Sequence, residues 1–153
     1  MNDSVKQENP QPCILLAEDD EEMRRLLVQE LQKNGYQVCE CSTGLRLLDK
    51  LGNRLVSPEK LKCEPTEYDL IISDIRMPGV TGMSVLEGMC LFEGFPPMIL
   101  ITAFGDEKTH EQAKELGAAA LFDKPFEIED LLAKVHEILG PVLHSKGCDC
   151  DSS

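Results

Sequence analysis

The chain has 153 residues, which is enough for one well-buried core and too few for two ordinary domains. Its 28 acidic and 15 basic residues give a formal charge of -13, and this excess of acid argues against a nucleic-acid-binding surface, which needs clustered lysine and arginine. No apolar stretch approaches the roughly 20 residues that span a bilayer, and the polar N-terminus lacks a signal-peptide core, so we expect a soluble cytoplasmic protein without a membrane partner.

Short apolar runs and helical patterns alternate along the chain. The apolar runs predict strands at residues 13–17, 36–41, 69–74, 98–101 and 119–122. The helical patterns that follow them predict helices at about residues 21–33, 45–52, 82–89, 107–116 and 127–139. Five strand–helix repeats are typical of an α/β domain with a parallel sheet, helices on both faces and right-handed crossovers.

Helix ends and one long connection can also be read from the sequence. Asp20 is the expected N-cap of the first helix, and Asn34-Gly35 is its expected stop. Residues 53–67 form a longer connection than the usual four to six or so. Through Leu55 and Leu61 this segment either extends the second helix or adds a short turn, and we expect it to be a surface elaboration away from the functional crevice.

Polar side chains follow four of the five predicted strands. Acidic residues 18–20 follow the first strand, Asp74 ends the third, Thr102 follows the fourth and Lys124 follows the fifth. The carboxyl ends of parallel strands meet at one edge of the sheet, where such folds place their chemistry. The sequence therefore predicts one crevice that contains acids, a hydroxyl and an amine.

Four motifs in this order resemble the receiver domain of two-component response regulators, the CheY-like fold. They are the acidic pair, the Asp-x-x-Met-Pro-Gly-x-x-Gly stretch from Asp74 to Gly82, Thr102-Ala103, and Lys124-Pro125-Phe126. The resemblance covers residues 12–140 and leaves 1–11 and 141–153 as flexible tails. It implies a doubly wound, flavodoxin-like parallel sheet with strand order 2-1-3-4-5 and five helices.

The residue types in the crevice suit phosphoryl transfer. This reaction needs a nucleophile, in-line positioning and neutralisation of charge on the phosphoryl oxygens. Asp74 is the expected acceptor, because a carboxylate can attack a phosphohistidine and form an acyl phosphate. Thr102 and Lys124 are expected to contact the phosphoryl oxygens and to bind the phosphorylated state better than the free one, which would drive a switch.

Magnesium prefers oxygen ligands and keeps several waters. Glu18, Asp19 and Asp74 supply the expected carboxylates, with Glu18 and Asp19 at the family's acidic-pair positions. The resemblance adds the backbone carbonyl of Arg76 as a further ligand. We therefore expect Mg²⁺ as cofactor.

Three further expectations come from the resemblance. The Lys124–Pro125 peptide bond should be cis. Leu121 stands where receivers often carry the aromatic residue that rotates on activation, and Phe122 cannot replace it because successive strand residues point to opposite faces. Arg76 and Phe104, two residues after Asp74 and Thr102, border the path of hydrolytic water and should set the lifetime of the phosphate.

The implied partners are proteins. A histidine kinase or a histidine phosphotransfer protein would dock on the first helix and the loop after the fifth strand, near Met23 and Pro125-Phe126. A downstream target would contact the fourth helix and the fifth strand. We expect a monomer or a phosphorylation-dependent dimer, and no output domain is visible after Gly140.

Two other functions remain open. A phosphatase of the haloacid dehalogenase type also uses a strand-end aspartate, but it carries a second acid two residues later, where this chain has Arg76. A receiver-like module that binds partners without phosphorylation generally loses an acid or the lysine, and this chain has both.

The cysteines and histidines do not form a complete additional site in the sequence. The odd number of seven cysteines, in a chain without a secretory signal, predicts reduced thiols. Cys148 and Cys150 would lie in the tail, where they could bind a soft metal or oxidise. His110, His136 and His144 are expected on surfaces, without an acid or cysteine partner.

Overall fold

The computed structural model describes residues 11–56, 68–90 and 95–140. The predicted tails, apart from Gln11, lie outside these ranges. So do residues 57–67 of the predicted elaboration, and with them Leu61. Three cysteines and one histidine also fall outside the described residues: Cys63, Cys148, Cys150 and His144.

Five parallel strands form one sheet in the order β2-β1-β3-β4-β5, which confirms the predicted topology. The strands are β1 (Cys13–Ala17), β2 (Gln37–Cys41), β3 (Leu70–Asp74), β4 (Met98–Thr102) and β5 (Ala120–Asp123). Every residue of β3 and β4 is buried. These strands are apolar up to their polar carboxyl ends, as expected where helices cover both faces of the sheet.

Five helices cover the two faces of the sheet. They are α1 (Glu21–Lys33), α2 (Gly44–Val56), α3 (Gly82–Met89), α4 (Glu107–Glu115) and α5 (Ile128–Leu139). Side chains of α1 and α5 pack on one face, and side chains of α2, α3 and α4 pack on the other. Alternate strand residues serve the two cores: Ile14 and Leu16 face α1 and α5, whereas Leu15 and Ala17 face the opposite side.

The predicted start and stop of α1 are confirmed. The Asp20 side chain accepts a hydrogen bond from the Glu22 amide at 3.2 Å, which satisfies one of the free amides of the first turn. Asn34 is the C-cap, and Gly35 follows with a φ of 94°, a conformation that glycine adopts without a Cβ clash. These caps fix where the chain leaves the acidic loop and where it returns toward β2.

Most strand and helix ends lie within one residue of the prediction, and two of the differences have a clear physical cause. Helix α2 does not end near Gly52 but continues to Val56, because an internal glycine costs a helix only about 1 kcal/mol relative to alanine. Strand β2 begins at Gln37 rather than at Tyr36. The Tyr36 amide donates to the Leu31 carbonyl at 3.2 Å, so this residue still belongs to the end of α1.

The described cysteines are thiols rather than halves of a disulfide, as the sequence predicts; they are Cys13, Cys39, Cys41 and Cys90. Burial raises the pKa of the Cys41 thiol to about 11 and so suppresses its reactive thiolate form. Among the described helices, none has the length and apolar character needed to cross a bilayer.

We predict that Leu131→Ala lowers the free energy of unfolding by about 2–5 kcal/mol, because the fully buried Leu131 side chain fills the core beneath α5. Leu45→Ala is the matched control, since Leu45 is also helical but 63% exposed, and it should change stability by less than about 0.5 kcal/mol. Urea denaturation measures both. Equal losses in the two variants would contradict the assigned core.

Candidate functional site

The carboxyl ends of the strands bring the predicted residues together. Asp74 is the last residue of β3, Thr102 is the last of β4, and both are almost fully buried. Glu18 directly follows β1 and is completely buried, whereas the adjacent Asp19 is exposed. Carboxylate oxygens of Glu18, Asp19 and Asp74 lie within 4.8 Å of one another. The site is thus a cluster of three acids that opens to solvent on the side of Asp19.

Lys124 supplies the positive charge at the centre of this cluster. Its Nζ lies 3.1 Å from Asp74 Oδ2 and 3.2 Å from Glu18 Oε2. Desolvation lowers the pKa of Lys124, but the hydrogen bonds and negative charges of Asp74 and Glu18 outweigh it and raise the pKa above its ordinary value. The lysine therefore carries its charge in the site. The Lys124–Pro125 peptide bond that follows it is cis.

One of the two carboxylate oxygens of Glu18 lacks a hydrogen-bond partner among the described residues. Its Oε2 accepts hydrogen bonds from the Asp20 amide at 3.1 Å and from Lys124, but its buried Oε1 has no hydrogen-bond partner among the described residues. Burial raises the pKa of Glu18 to about 7, and the charge of Asp74 adds to this effect. One lysine thus leaves the site short of positive charge. An oxygen-only cluster with an unpartnered carboxylate oxygen fits a hard divalent cation such as Mg²⁺.

Arg24 anchors the loop that carries the acidic pair. Its Nη1 donates to the Glu18 carbonyl at 2.9 Å, and its Nε lies 3.0 Å from Glu40 Oε1 on β2. The Glu18 amide also donates to the Cys41 carbonyl at 3.1 Å. The sequence analysis missed this role of Arg24. The signal available in the sequence was its position one turn after the Asp20 cap.

The turn after β3 and the start of α3 pack closely against Asp74. Asp74 Oδ1 accepts a hydrogen bond from the Arg76 amide at 3.2 Å. A Cβ added to Gly82, the first residue of α3, would lie 2.6 Å from the Asp74 carbonyl oxygen. Any larger residue there would force the helix and the strand apart. Gly82 therefore lets α3 begin directly against Asp74.

Two exposed side chains border the mouth of the site. The Arg76 guanidinium lies 4.6 Å from the centre of the Phe104 ring, which is within the range of a cation–π contact. Phe104 is 65% exposed, and its amide donates to Thr102 Oγ1 at 3.0 Å. A cleft of about 610 Å³ also reaches the site; it is lined by Asp19, Ile75, Arg76, Met77, Pro78 and Thr81.

Leu121 and Phe122 point to opposite faces of the sheet, as expected from their positions on a strand. Leu121 packs with the core beneath α2, α3 and α4. Phe122 packs with the core beneath α1 and α5, and its ring lies 5.7 Å from that of Phe126. Phe122 is thus unable to replace the inward-facing residue at position 121.

The expectation that His110 has no acid partner is wrong. Its Nε2 lies 2.8 Å from Asp123 Oδ2. The pair was missed because its members lie on different elements, α4 and β5, where no spacing rule connects them. His136 packs its ring 5.8 Å from that of Tyr36 and has no acid or cysteine contact among the described interactions.

Three comparisons identify the family of the chain. The family model described as the response regulator receiver domain matches residues 14–136. Sporulation initiation phosphotransferase F of Bacillus subtilis is 32% identical over 126 residues, which cover 82% of this chain and 92% of that protein. An uncharacterised transcriptional regulatory protein of Bacillus subtilis, YkoG, is also 32% identical, but the chain spans only 50% of its length.

A solved structure shows the same architecture. The chemotaxis response regulator CheY4 of Vibrio cholerae superimposes with a TM-score of 0.66 at 25% identity, over 85% of this chain and 100% of that one. Members of this family are signalling switches that accept a phosphoryl group and interact with histidine kinases or phosphotransfer proteins and with downstream effectors. With its family model, its sequence relatives and its fold in agreement, the chain belongs to the receiver domains of two-component response regulators.

Proposed function

We propose that the chain accepts a phosphoryl group on Asp74 from a histidine kinase or a histidine phosphotransfer protein, and that this event switches the binding of a downstream protein. The main support is the placement of Asp74, which lies nearly buried at a strand end with Lys124 at 3.1 Å and two further acids alongside. The printed name of one relative, a phosphotransferase, agrees with this proposal.

In the proposed reaction, a carboxylate oxygen of Asp74 attacks the phosphorus atom of a phosphohistidine. The new bond joins phosphorus to this oxygen, the phosphorus–nitrogen bond breaks, and the imidazole leaves with its electron pair. The negative charge that arrives on the phosphoryl oxygens needs positive partners nearby. Lys124 can provide one by exchanging part of its contact with Asp74 and Glu18 for a phosphoryl oxygen.

We assign the metal site to the carboxylates of Glu18, Asp19 and Asp74 and to the backbone carbonyl of Arg76. The unpartnered Glu18 Oε1 and the all-oxygen donor set fit Mg²⁺. When bound, the ion would neutralise charge on the acids and on the phosphoryl oxygens. Arg24 serves this site indirectly, since it holds the Glu18 backbone in place from α1.

The switch would start at Thr102. Its hydroxyl oxygen accepts a hydrogen bond from the Phe104 amide, so the hydroxyl hydrogen can donate to a phosphoryl oxygen on Asp74. Movement of Thr102 toward that oxygen would displace the loop after β4. Leu121, which packs on the same core beneath α4, would repack as the loop moves. A partner that binds one arrangement better than the other would then sense the phosphorylation state.

The competing functions have weaker support. A haloacid dehalogenase-type phosphatase needs a second acid two residues after the nucleophile, and Arg76 there is exposed and stacked on Phe104. A module that works without phosphorylation would have no need to keep Lys124 between two acids.

We predict that acetyl phosphate with Mg²⁺ gives a single phosphoryl adduct on the wild-type protein and none on Asp74→Asn, because the amide is a poor nucleophile. Without Mg²⁺ the adduct should be strongly reduced. Intact-mass spectrometry measures it. Asp49→Asn, which changes an exposed helical aspartate, is the control and should react like wild type. A folded, magnesium-binding wild type without any adduct would favour the phosphorylation-independent module.

The raised pKa of Glu18 makes stability depend on pH. Between the ordinary pKa of glutamate and about 7, the folded protein binds more protons than the unfolded chain, so the free energy of unfolding should fall as pH rises. In the presence of a chelator we expect the loss between pH 5 and 8 to be on the order of 2 kcal/mol larger for wild type than for Glu18→Gln. Urea denaturation across this pH range measures the difference.

Adding Mg²⁺ tests the role of Glu18 in a second way. Saturating Mg²⁺ at pH 8 should stabilise wild type more than Glu18→Gln, since binding to the folded state adds to its stability. Glu22→Gln, which alters an exposed glutamate on α1, should behave like wild type throughout. The same dependence of stability on pH in Glu18→Gln and in wild type would contradict a raised pKa of Glu18 in the folded protein.

We predict that Phe104→Ala shortens the lifetime of the phosphoryl group about two- to fivefold, the change expected from loss of an exposed cation–π contact. The ring would shield the mouth of the site from water through its contact with Arg76. Decay of the phosphorylated protein after removal of the donor measures the lifetime. The lifetime in Phe104→Leu should lie between those of wild type and Phe104→Ala. Lys108→Ala, which alters an exposed residue of α4, should have the wild-type lifetime. Equal lifetimes for all variants would contradict the shielding role.

A further inference from the structure

A side-chain pair connects α4 to the residue just before Lys124, and the proposed phosphoryl transfer and metal binding do not involve this pair. His110 lies early in α4, and its Nε2 is 2.8 Å from Oδ2 of Asp123, the last residue of β5. The side chains are 41% and 50% exposed, so the pair lies at the surface rather than in the core. His110 belongs to α4, which begins where the loop after β4 ends, and Asp123 belongs to β5, the strand beside β4.

The same carboxylate also lies against that loop, residues 103–106. A Cβ added to Gly105 would collide with Asp123 Oδ1 and would come within 2.9 Å of Thr102 Cγ2. Gly105 thus leaves the space that the carboxylate occupies. One oxygen of Asp123 faces the middle of the loop while the other faces His110 at the start of the helix, so the single side chain contacts both parts.

Backbone contacts connect this pair to the phosphorylation site. Asp123 is paired with Thr102 in the β4–β5 register, and the Lys124 amide donates to the Thr102 carbonyl at 2.7 Å. The Phe104 amide donates to Thr102 Oγ1 in the same arrangement. A shift of Thr102 and of its loop toward a phosphoryl group therefore changes the surroundings of Asp123 and its contact with His110.

We propose that His110 is a positioning residue for the phosphorylation switch: by holding Asp123, it keeps the loop after β4 in its resting position and opposes the movement of Thr102 toward the phosphoryl group. The inference rests on the proposed function of Asp74. A contact made in only one of two states raises the population ratio in favour of that state, and the ratio grows exponentially with the energy of the contact. Exposed pairs contribute little, so the expected effect is about two- to fivefold.

The test compares how tightly variants bind beryllofluoride in the presence of Mg²⁺. Binding is monitored through the amide chemical shifts of Thr102 and of α4. His110→Ala should bind this phosphoryl analogue about two- to fivefold more tightly than wild type, because the resting state loses its restraint. His110→Gln, which keeps a side-chain donor near Asp123, should restore part of the wild-type affinity. Glu111→Ala, an exposed neighbour on the same helix, should leave the affinity unchanged.

A double-mutant cycle separates positioning from a structural role. If the pair acts as a unit, Asp123→Asn should add little to the affinity gained in His110→Ala. A merely structural role would instead lower the free energy of unfolding without tightening beryllofluoride binding, and that result would overturn the inference while wild-type binding still depended on Asp74. If Asp74→Asn bound the analogue as well as wild type, the proposed function would fail, and the inference with it.

Discussion

The sharing of one ammonium group by two buried carboxylates is the interaction on which this site depends. Lys124 lies within 3.2 Å of both Asp74 and Glu18, and both acids are shielded from water. Two negative charges in a poorly solvated place repel each other, and one positive charge compensates only in part. The resting site therefore holds an excess of negative charge, which a divalent cation can relieve. Under the proposed function, the same lysine would then contact an incoming phosphoryl group.

The fold makes this costly arrangement possible. The central strands β1 and β3 are anchored between two apolar cores, so their ends keep fixed positions even where charges repel. Gly82 allows α3 to start against Asp74, and Arg24 ties the acidic loop to β2. Each of these contacts restrains backbone rather than the reacting atoms. The reactive side chains are thereby held close together, while the loop after β4 stays at the surface with few anchors.

Much of the fold and of the site could be predicted from the sequence because the central strands are buried on both faces. A polar residue at the end of an unbroken apolar run, such as Asp74 or Thr102, stands out in the sequence, and parallel topology brings such ends together. Contacts between distant parts of the chain could not be predicted in this way. Glu18 and Lys124 are 106 residues apart, and His110 meets Asp123 across two elements. Local patterns also could not show that Glu18 is buried while Asp19 and Asp20 remain exposed.

The anchor formed by Arg24 has a consequence for engineering partner specificity. The family resemblance implies that a kinase docks on α1, so exchanging α1 between related receivers would be one way to redirect such a protein toward another kinase. Here the helix carries one half of an ion pair whose other half, Glu40, lies on β2. A chimera that imports a foreign α1 without a matching strand residue would weaken the side-chain anchor of the Glu18 loop, although the hydrogen bond from the Glu18 amide to the Cys41 carbonyl would remain. A successful transplant would have to carry the helix and its strand partner together.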